Sequence, residues 1–411
     1  MSTPRDIVII GGGLAGAKTA EALRSHGYPG TITLLAGEPH LPYERPPMSK
    51  GYLADDDGFE GALVHPAEWY DEQRIDLRTG TRATAVDADA HEVSLDDGTT
   101  LGYGTLVLAT GSTPRALPLD GADAQGVLTL RTREDSDAIK ATFGEGKRLV
   151  IIGGGWIGLE VAASARRANT EVTIIEASEL PLLGVLGPEM AQVFADLHTE
   201  NGVDLRLNAS VEAVTTDDGR ATGVRLEGGE TIPADAVVVG IGVTPDTSLA
   251  EACGLAVDDG VLVDASLRTS NPDIFAVGDI AHHDHPVLGR RIRVEHWATA
   301  LNQPESVAKA LMGEDDCEYA ELPYFFSDQY DLGMEYIGHA PKGSYDKVVI
   351  RGDKETREFV AFWLDADNRI LAAMNVNVWD VVDEVKPIIA AGTPVDPDRL
   401  ADPTVAYADL A

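Results

Sequence analysis

One glycine signature occurs twice in this chain, first as DIVIIGGGLAG from Asp6 to Gly16 and again as LVIIGGGWIG from Leu149 to Gly158. Each copy joins an apolar, β-branched run to G-x-G-x-x-G, with Gly11, Gly13 and Gly16 in the first and Gly153, Gly155 and Gly158 in the second. A helix-like stretch follows each one, over residues 17–24 and 159–167. In that setting glycines let the backbone approach a pyrophosphate, while the free N–H groups and positive dipole end of the helix hold its charge. A glycine turn that only packs a helix on a sheet accounts for one copy. The repeat predicts two dinucleotide sites in an α/β chain.

At 411 residues with 44% apolar side chains, the chain has material for two or three cored domains. No apolar run reaches the roughly 20 residues of a membrane span, and the first strand begins at Asp6, which leaves no room for a signal peptide. A cytoplasmic protein is expected. The formal charge of −36 sets up a field that repels nucleic acid and anionic membranes. Cys253 and Cys317 stand far apart and outside any C-x-x-C pattern, which argues against a disulfide scaffold, a cysteine metal site or a redox pair.

The chain continues from the first turn into a second strand, ITLL after Thr31, ending near Glu38. A proline-rich loop follows, from Pro42 to Gly51 (PYERPPMSKG), too rigid for helix and too long for an ordinary connection. LVLATGSTP from Leu106 and AVVVGIGVTP from Ala236 are strands broken by Gly and Pro, the pattern of a chain crossing between domains. The expected organisation is a first nucleotide-binding domain in two parts, 1–113 and 241–320, interrupted by a second at 114–240. From 321 to 411, aromatic alternation around Tyr324–Tyr330 and Phe359–Leu364, then a helix-like run from Val381, predict an α+β domain.

These motifs, in this order, resemble the FAD-dependent pyridine-nucleotide oxidoreductases, and within them the NADH-dependent ferredoxin reductases of putidaredoxin, rhodocoxin and biphenyl-dioxygenase type. The resemblance implies two Rossmann-like domains, an NAD domain inserted in an FAD domain, and a C-terminal domain that covers the flavin. It places Ala15, Lys50, Ala83, Arg131, Asp279 and Trp297 at FAD-contacting positions. The same motifs add Arg45, Ala109, Thr110, Gly111, Gly242, Gly278, Glu295 and His296 as cofactor-contacting candidates. Lys50, Glu160 and Trp297 are the candidates beside the reacting rings. A cation at Lys50 would stabilise a reduced flavin, and Glu160 matches a position close to the nicotinamide, although a glutamate there also suits the helix dipole.

Family members commonly have an acid where this chain has Gly37, so Glu38 is the expected substitute for binding the adenosine ribose of FAD. In the second unit Glu176 ends the strand VTIIE, where a carboxylate accepts a ribose 2′-OH and repels a 2′-phosphate. NADH is therefore the expected donor.

The implied activity is electron transfer from NADH through FAD to a two-iron, two-sulfur ferredoxin that serves a monooxygenase or a Rieske dioxygenase. Three alternatives stand beside it. A disulfide reductase needs a thiol that the Pro42–Gly51 loop lacks; an NADH oxidase needs none; and a flavoprotein resembling apoptosis-inducing factors uses its cofactors mainly for structure. His282, His283 and His285 read as loop histidines without a completing acid or cysteine, so no metal is expected. Arg290, Arg291 and Arg293 form the densest cationic stretch and are the expected ferredoxin contact, with Lys342, Lys347 and Arg351 as second candidates, against the equal alternative of an ordinary solvated strand.

Overall fold

The computed structural model describes residues 6–54 and 57–410. The chain divides into two compact units, one of Met1–Arg45, Phe59–Thr113 and Thr244–Pro323, the other of Pro46–Gly58, Pro114–Val243 and Tyr324–Ala411.

In the first unit a five-stranded parallel sheet runs in the order Ile274–Ala276, Thr105–Leu108, Ile7–Ile10, Ile32–Ala36, Ile75–Thr79. The run IVII is buried at all four positions, as a strand covered on both faces requires. The Leu14–Ser25 helix makes the crossover from Ile7–Ile10 to Ile32–Ala36, with Ile10 in register with Leu35, and packs against the Trp297–Met312 helix.

The second unit repeats the plan with strands Asp204–Arg206, Glu171–Ile175, Arg148–Ile152, Ala236–Val239 and Val127–Leu128, again all parallel. One difference separates the two sheets. The outermost strand comes from late in the chain in the first unit and from just before the glycine turn in the second. The second unit also carries an antiparallel five-stranded sheet, in the order Tyr324–Gln329, Leu332–Gly338, Ile370–Val376, Glu358–Leu364, Lys347–Asp353. The Val382–Ala391 helix packs on its Ile370–Val376 and Leu332–Gly338 strands.

Two local expectations change. The proline-rich loop contains a 3-10 turn, Pro46–Ser49, because the two prolines fix φ in the helical range and the Lys50 and Tyr52 N–H groups both donate to the Pro47 carbonyl. The histidine segment is a strand, Ala281–His285, antiparallel to Arg290–Arg293. Its period of two buries His283 and His285 and sends the His282 ring to the Asp258 carbonyl.

Candidate functional site

The glycines of each turn have three different tasks. Gly11 and Gly153 adopt φ of +124° and +104°, and a Cβ on either would stand 2.0 Å from the Ala109 carbonyl oxygen or 2.4 Å from that of Gly240. Gly16 and Gly158 let the helix lie against the turn, since a Cβ there would meet the carbonyl oxygens of Gly11 at 1.9 Å and Gly153 at 2.3 Å. Gly13 and Gly155 differ. Their φ values are −82° and −80°, and an added Cβ would find nothing within 4 Å at Gly13 and nothing nearer than 3.9 Å at Gly155. Neither strain nor packing demands glycine there. Each is the N-cap of a 12-residue helix that has no side-chain cap and no acid in its first turn. Bare N–H groups above open space are what a pyrophosphate needs, so the residues fit two dinucleotides.

Around the first turn, the structure brings together Ala15 and Gly278, where a Cβ on Gly278 would stand 3.1 Å from that of Ala15. Asp279 sits in the Gly278–Ile280 turn. Thr110 Oγ1 donates to the Asp246 carbonyl at 2.6 Å, and Gly111 takes φ +71°. Trp297 opens its helix after the N-cap His296 and donates Nε1–H to Glu44 at 3.0 Å. Glu295 pairs with Arg293. Ala83 opens the separate Ala83–Asp87 strand. In the second unit the Arg131 N–H donates to Asp135, and Gly242 takes φ +97°.

Strand register locates the two acids. Leu35 pairs with Ile10 as Ile175 pairs with Ile152, so Ala36, not an acid, is the counterpart of Glu176. Glu38 stands two residues further on, where Tyr43 O–H and the Arg45 guanidinium donate to its two carboxylate oxygens at 2.6 and 2.8 Å. The Glu176 carboxylate accepts the N–H groups of Gly154 and Ser178, each at 2.7 Å, which fixes it beside the turn.

Lys50 and Glu160 meet in the second unit. Lys50 Nζ lies 2.7 Å from Glu160 Oε1 and 5.2 Å from the centre of the Phe326 ring. Glu160, only 4% exposed, also accepts from Ser327 Oγ at 2.7 Å and from Ser49 Oγ. Lying beyond the first turn of its helix, its carboxylate therefore serves a buried cluster and not the helix dipole. Burial pushes the nearby Asp328 carboxyl above its ordinary range, and Lys50 partly offsets this. Ser49 and Ser327 are absent from the sequence-derived site, although both lie in the motifs that carry the resemblance.

Arg291 and Arg293 of the cationic stretch are engaged locally. Arg291 donates to the Val263 and His282 carbonyls, both at 2.7 Å, and pairs with Asp284, while Arg293 pairs with Asp259 and Glu295. Cys317 meets Ser266 Oγ at 3.2 Å, and burial raises the Cys253 thiol pKa above its ordinary value. Both thiols belong to the first unit, whereas Lys50 and Glu160 belong to the second. Among the described residues no helix is long and apolar enough to cross a membrane.

Residues 5–304 match the family described as pyridine nucleotide-disulphide oxidoreductase, and residues 324–411 match the reductase C-terminal family. The chain is 44% identical over 403 residues to the ferredoxin–NAD(+) reductase component of the anthranilate 1,2-dioxygenase system of Burkholderia cepacia, covering 97% of each. Rhodocoxin reductase of Rhodococcus erythropolis is 40% identical over 96% of this chain and 92% of its own. Putidaredoxin reductase in its covalent complex with putidaredoxin has a similar structure, with a TM-score of 0.95, 37% identity, and coverage of 99% of this chain and 98% of that one.

Proposed function

Since the chain belongs to the pyridine nucleotide-disulphide oxidoreductase family, as a ferredoxin–NAD(+) reductase that uses FAD and NAD(H), we propose which of its residues carry the reaction. The acceptor is a two-iron, two-sulfur ferredoxin, and the physiological sink is an oxygenase. The reductase works in the cytoplasm, where NADH is made and used.

FAD, when bound by these residues, would supply the means to accept two electrons from NADH and to give them up singly. The chain's own residues bind, orient and tune. Residues 1–113 and 241–320 form the FAD domain, in which Gly13 and the N-terminus of the Leu14–Ser25 helix hold the pyrophosphate and Glu38, braced by Arg45, takes the ribose. Residues 114–240 form the NAD domain, with Gly155 and Glu176 in the same tasks, and residues 321–411 form the α+β domain. Lys50 supplies the positive charge that a reduced flavin needs. Glu160 keeps that ammonium in one place, and Ser49 and Ser327 keep Glu160 in one place. Trp297, bonded to Glu44, would pack near the flavin.

The observation that supports this reading best is the Lys50–Glu160 pair, its carboxylate buried with two hydroxyls and no thiol. Stopped-flow mixing with NADH and then with a two-iron ferredoxin tests it. One non-covalent FAD per chain is expected, reduced by NADH and reoxidised much faster by ferredoxin than by oxygen. FMN in place of FAD, or reoxidation by oxygen as fast as by ferredoxin, overturns it.

A further inference from the structure

Glu160 ends a longer run of hydrogen bonds inside the second unit. Gln329 Nε2 lies 3.0 Å from Ser327 Oγ, His198 Nε2 lies 2.8 Å from Gln329 Oε1, and the Tyr330 hydroxyl lies 3.2 Å from His198 Nδ1. His198, Gln329 and Ser327 are each at most 1% exposed. Tyr330 lines a surface cleft with Arg166 and Asn201.

The polarity of the run is forced. A carboxylate only accepts, so Ser327 donates to Glu160 and its lone pair receives Gln329 Nε2–H. That turns the Gln329 carbonyl toward His198, which must carry its proton on Nε2. Nδ1 is left as the acceptor for Tyr330 O–H. Every donor points toward Glu160. Burial holds His198 neutral, with its pKa pushed down to about 4, as an imidazole with one donor and one acceptor requires.

The run also ties separate elements together. Helix Leu183–Glu200 carries His198, strand Tyr324–Gln329 carries Ser327 and Gln329, helix Trp156–Arg167 carries Glu160, and turn Pro46–Ser49 leads into Lys50. Trp156 packs edge-on against Phe194 and Phe325, closing the same space with apolar rings. Apolar side chains of equal volume would fill the interior as stably as this polar run. What they would not do is fix a hydroxyl proton on Glu160.

We propose that Tyr330, His198, Gln329 and Ser327 are positioning residues, a one-way chain that orients the Glu160 carboxylate and through it the Lys50 ammonium for hydride transfer. This rests on the reading of Lys50 and Glu160 as the pair that serves the reacting rings, so the test separates the two.

Two measurements test it. The first is ¹⁵N NMR of the histidine-labelled holoenzyme, which needs no variant. His198 is expected as the neutral Nε2–H tautomer down to about pH 5; the Nδ1–H tautomer overturns the proposal. The second is a double-mutant cycle of Ser327→Ala and Gln329→Met, with flavin reduction by NADH followed in stopped flow. Each single variant is expected to lower the limiting rate about tenfold with the NADH half-saturation changed less than about twofold, and the double variant to be no slower than the slower single. Multiplying losses, or singles as fast as the unmodified enzyme, overturn the proposal. Lys50→Met and Glu160→Gln complete the set. If they slow reduction and the two singles do not, only the positioning chain fails; if they leave reduction unchanged, the reading of the pair fails and the chain falls with it.

Discussion

Glu176 reaches back to accept the Gly154 N–H at 2.7 Å, so the acid that follows strand Glu171–Ile175 is fastened to the glycine turn of the same sheet. Its second oxygen is occupied by Ser178 N–H, which leaves a rigid, acceptor-rich edge where a ribose hydroxyl would bind. A 2′-phosphate would face that carboxylate directly.

NADH should accordingly be preferred over NADPH by about a hundredfold in kcat/KM. Glu176→Ala should narrow the preference to about tenfold or less, mostly by slowing NADH. Steady-state kinetics with both nucleotides checks this, and equal use by the unmodified enzyme contradicts it.

The glycines of the first turn should separate by task. Gly16→Ala places a Cβ 1.9 Å from the Gly11 carbonyl oxygen and should destabilise the protein by about 1–3 kcal/mol even without flavin. Gly13→Ala meets nothing within 4 Å, so the flavin-free protein should melt within about 2 °C of the unmodified one. Its FAD affinity should nonetheless fall about tenfold or more, because the methyl group occupies the space above the helix N–H groups. Thermal melts of stripped protein and a flavin fluorescence titration measure the two effects.

Acid should weaken the fold through three buried histidines, His198, His283 and His285, all of which burial pushes below the ordinary value. Burial pushes His198 and His283 down to about 4, while an unfolded chain protonates histidine near 6.5. Between those values the unfolded state binds more protons, so stability falls as the pH drops from about 6.5 toward 4 and is flat above. His198 and His283 each contribute at most about 3 kcal/mol to that loss. His26, whose pKa is raised by hydrogen bonds to Glu305 and Glu314, stabilises below its unfolded pKa and offsets a small part. Urea melts at pH 7 and pH 5 should differ, and His283→Phe should flatten the difference.

The thiols should be dispensable. Cys253→Ser with Cys317→Ser should keep flavin and ferredoxin reduction within about twofold, since neither cysteine stands in a C-x-x-C pattern and burial raises the Cys253 thiol pKa above its ordinary value. Loss of turnover in the folded double variant would point back to disulfide chemistry.

The glycine turns were legible because their information is local, a spacing within eleven residues whose context the neighbouring runs supply. The place of Glu176 at the end of its strand was legible for the same reason. Ser49, Ser327 and His198 were not, since a serine beside Glu160 is marked only by tertiary packing that joins strand Tyr324–Gln329 to helix Trp156–Arg167. The histidine strand was misread because its polar composition suggests a loop, and only its alternation of burial shows a strand. The engagement of the arginines was not legible either. Their charge counts as surplus in a sequence, whereas Arg291 and Arg293 are already engaged by carbonyls and acids.

The origin of the outer strand of the first sheet bears on synthesis. Leu106 pairs with Ile274, and every strand of the second parallel sheet is translated between them. On the ribosome, the later nucleotide-binding sheet has all its strands before the earlier one has its last. Thr105–Leu108 meanwhile presents a fully buried-type apolar sequence with one edge unpaired, a template for wrong pairing. At about 5–20 residues per second that interval lasts on the order of ten seconds. Expression yield should therefore respond to slower translation or to chaperone supply through this one edge, and a circular permutant that places Ile274–Ala276 ahead of Ile7–Ile10 should be less sensitive to both.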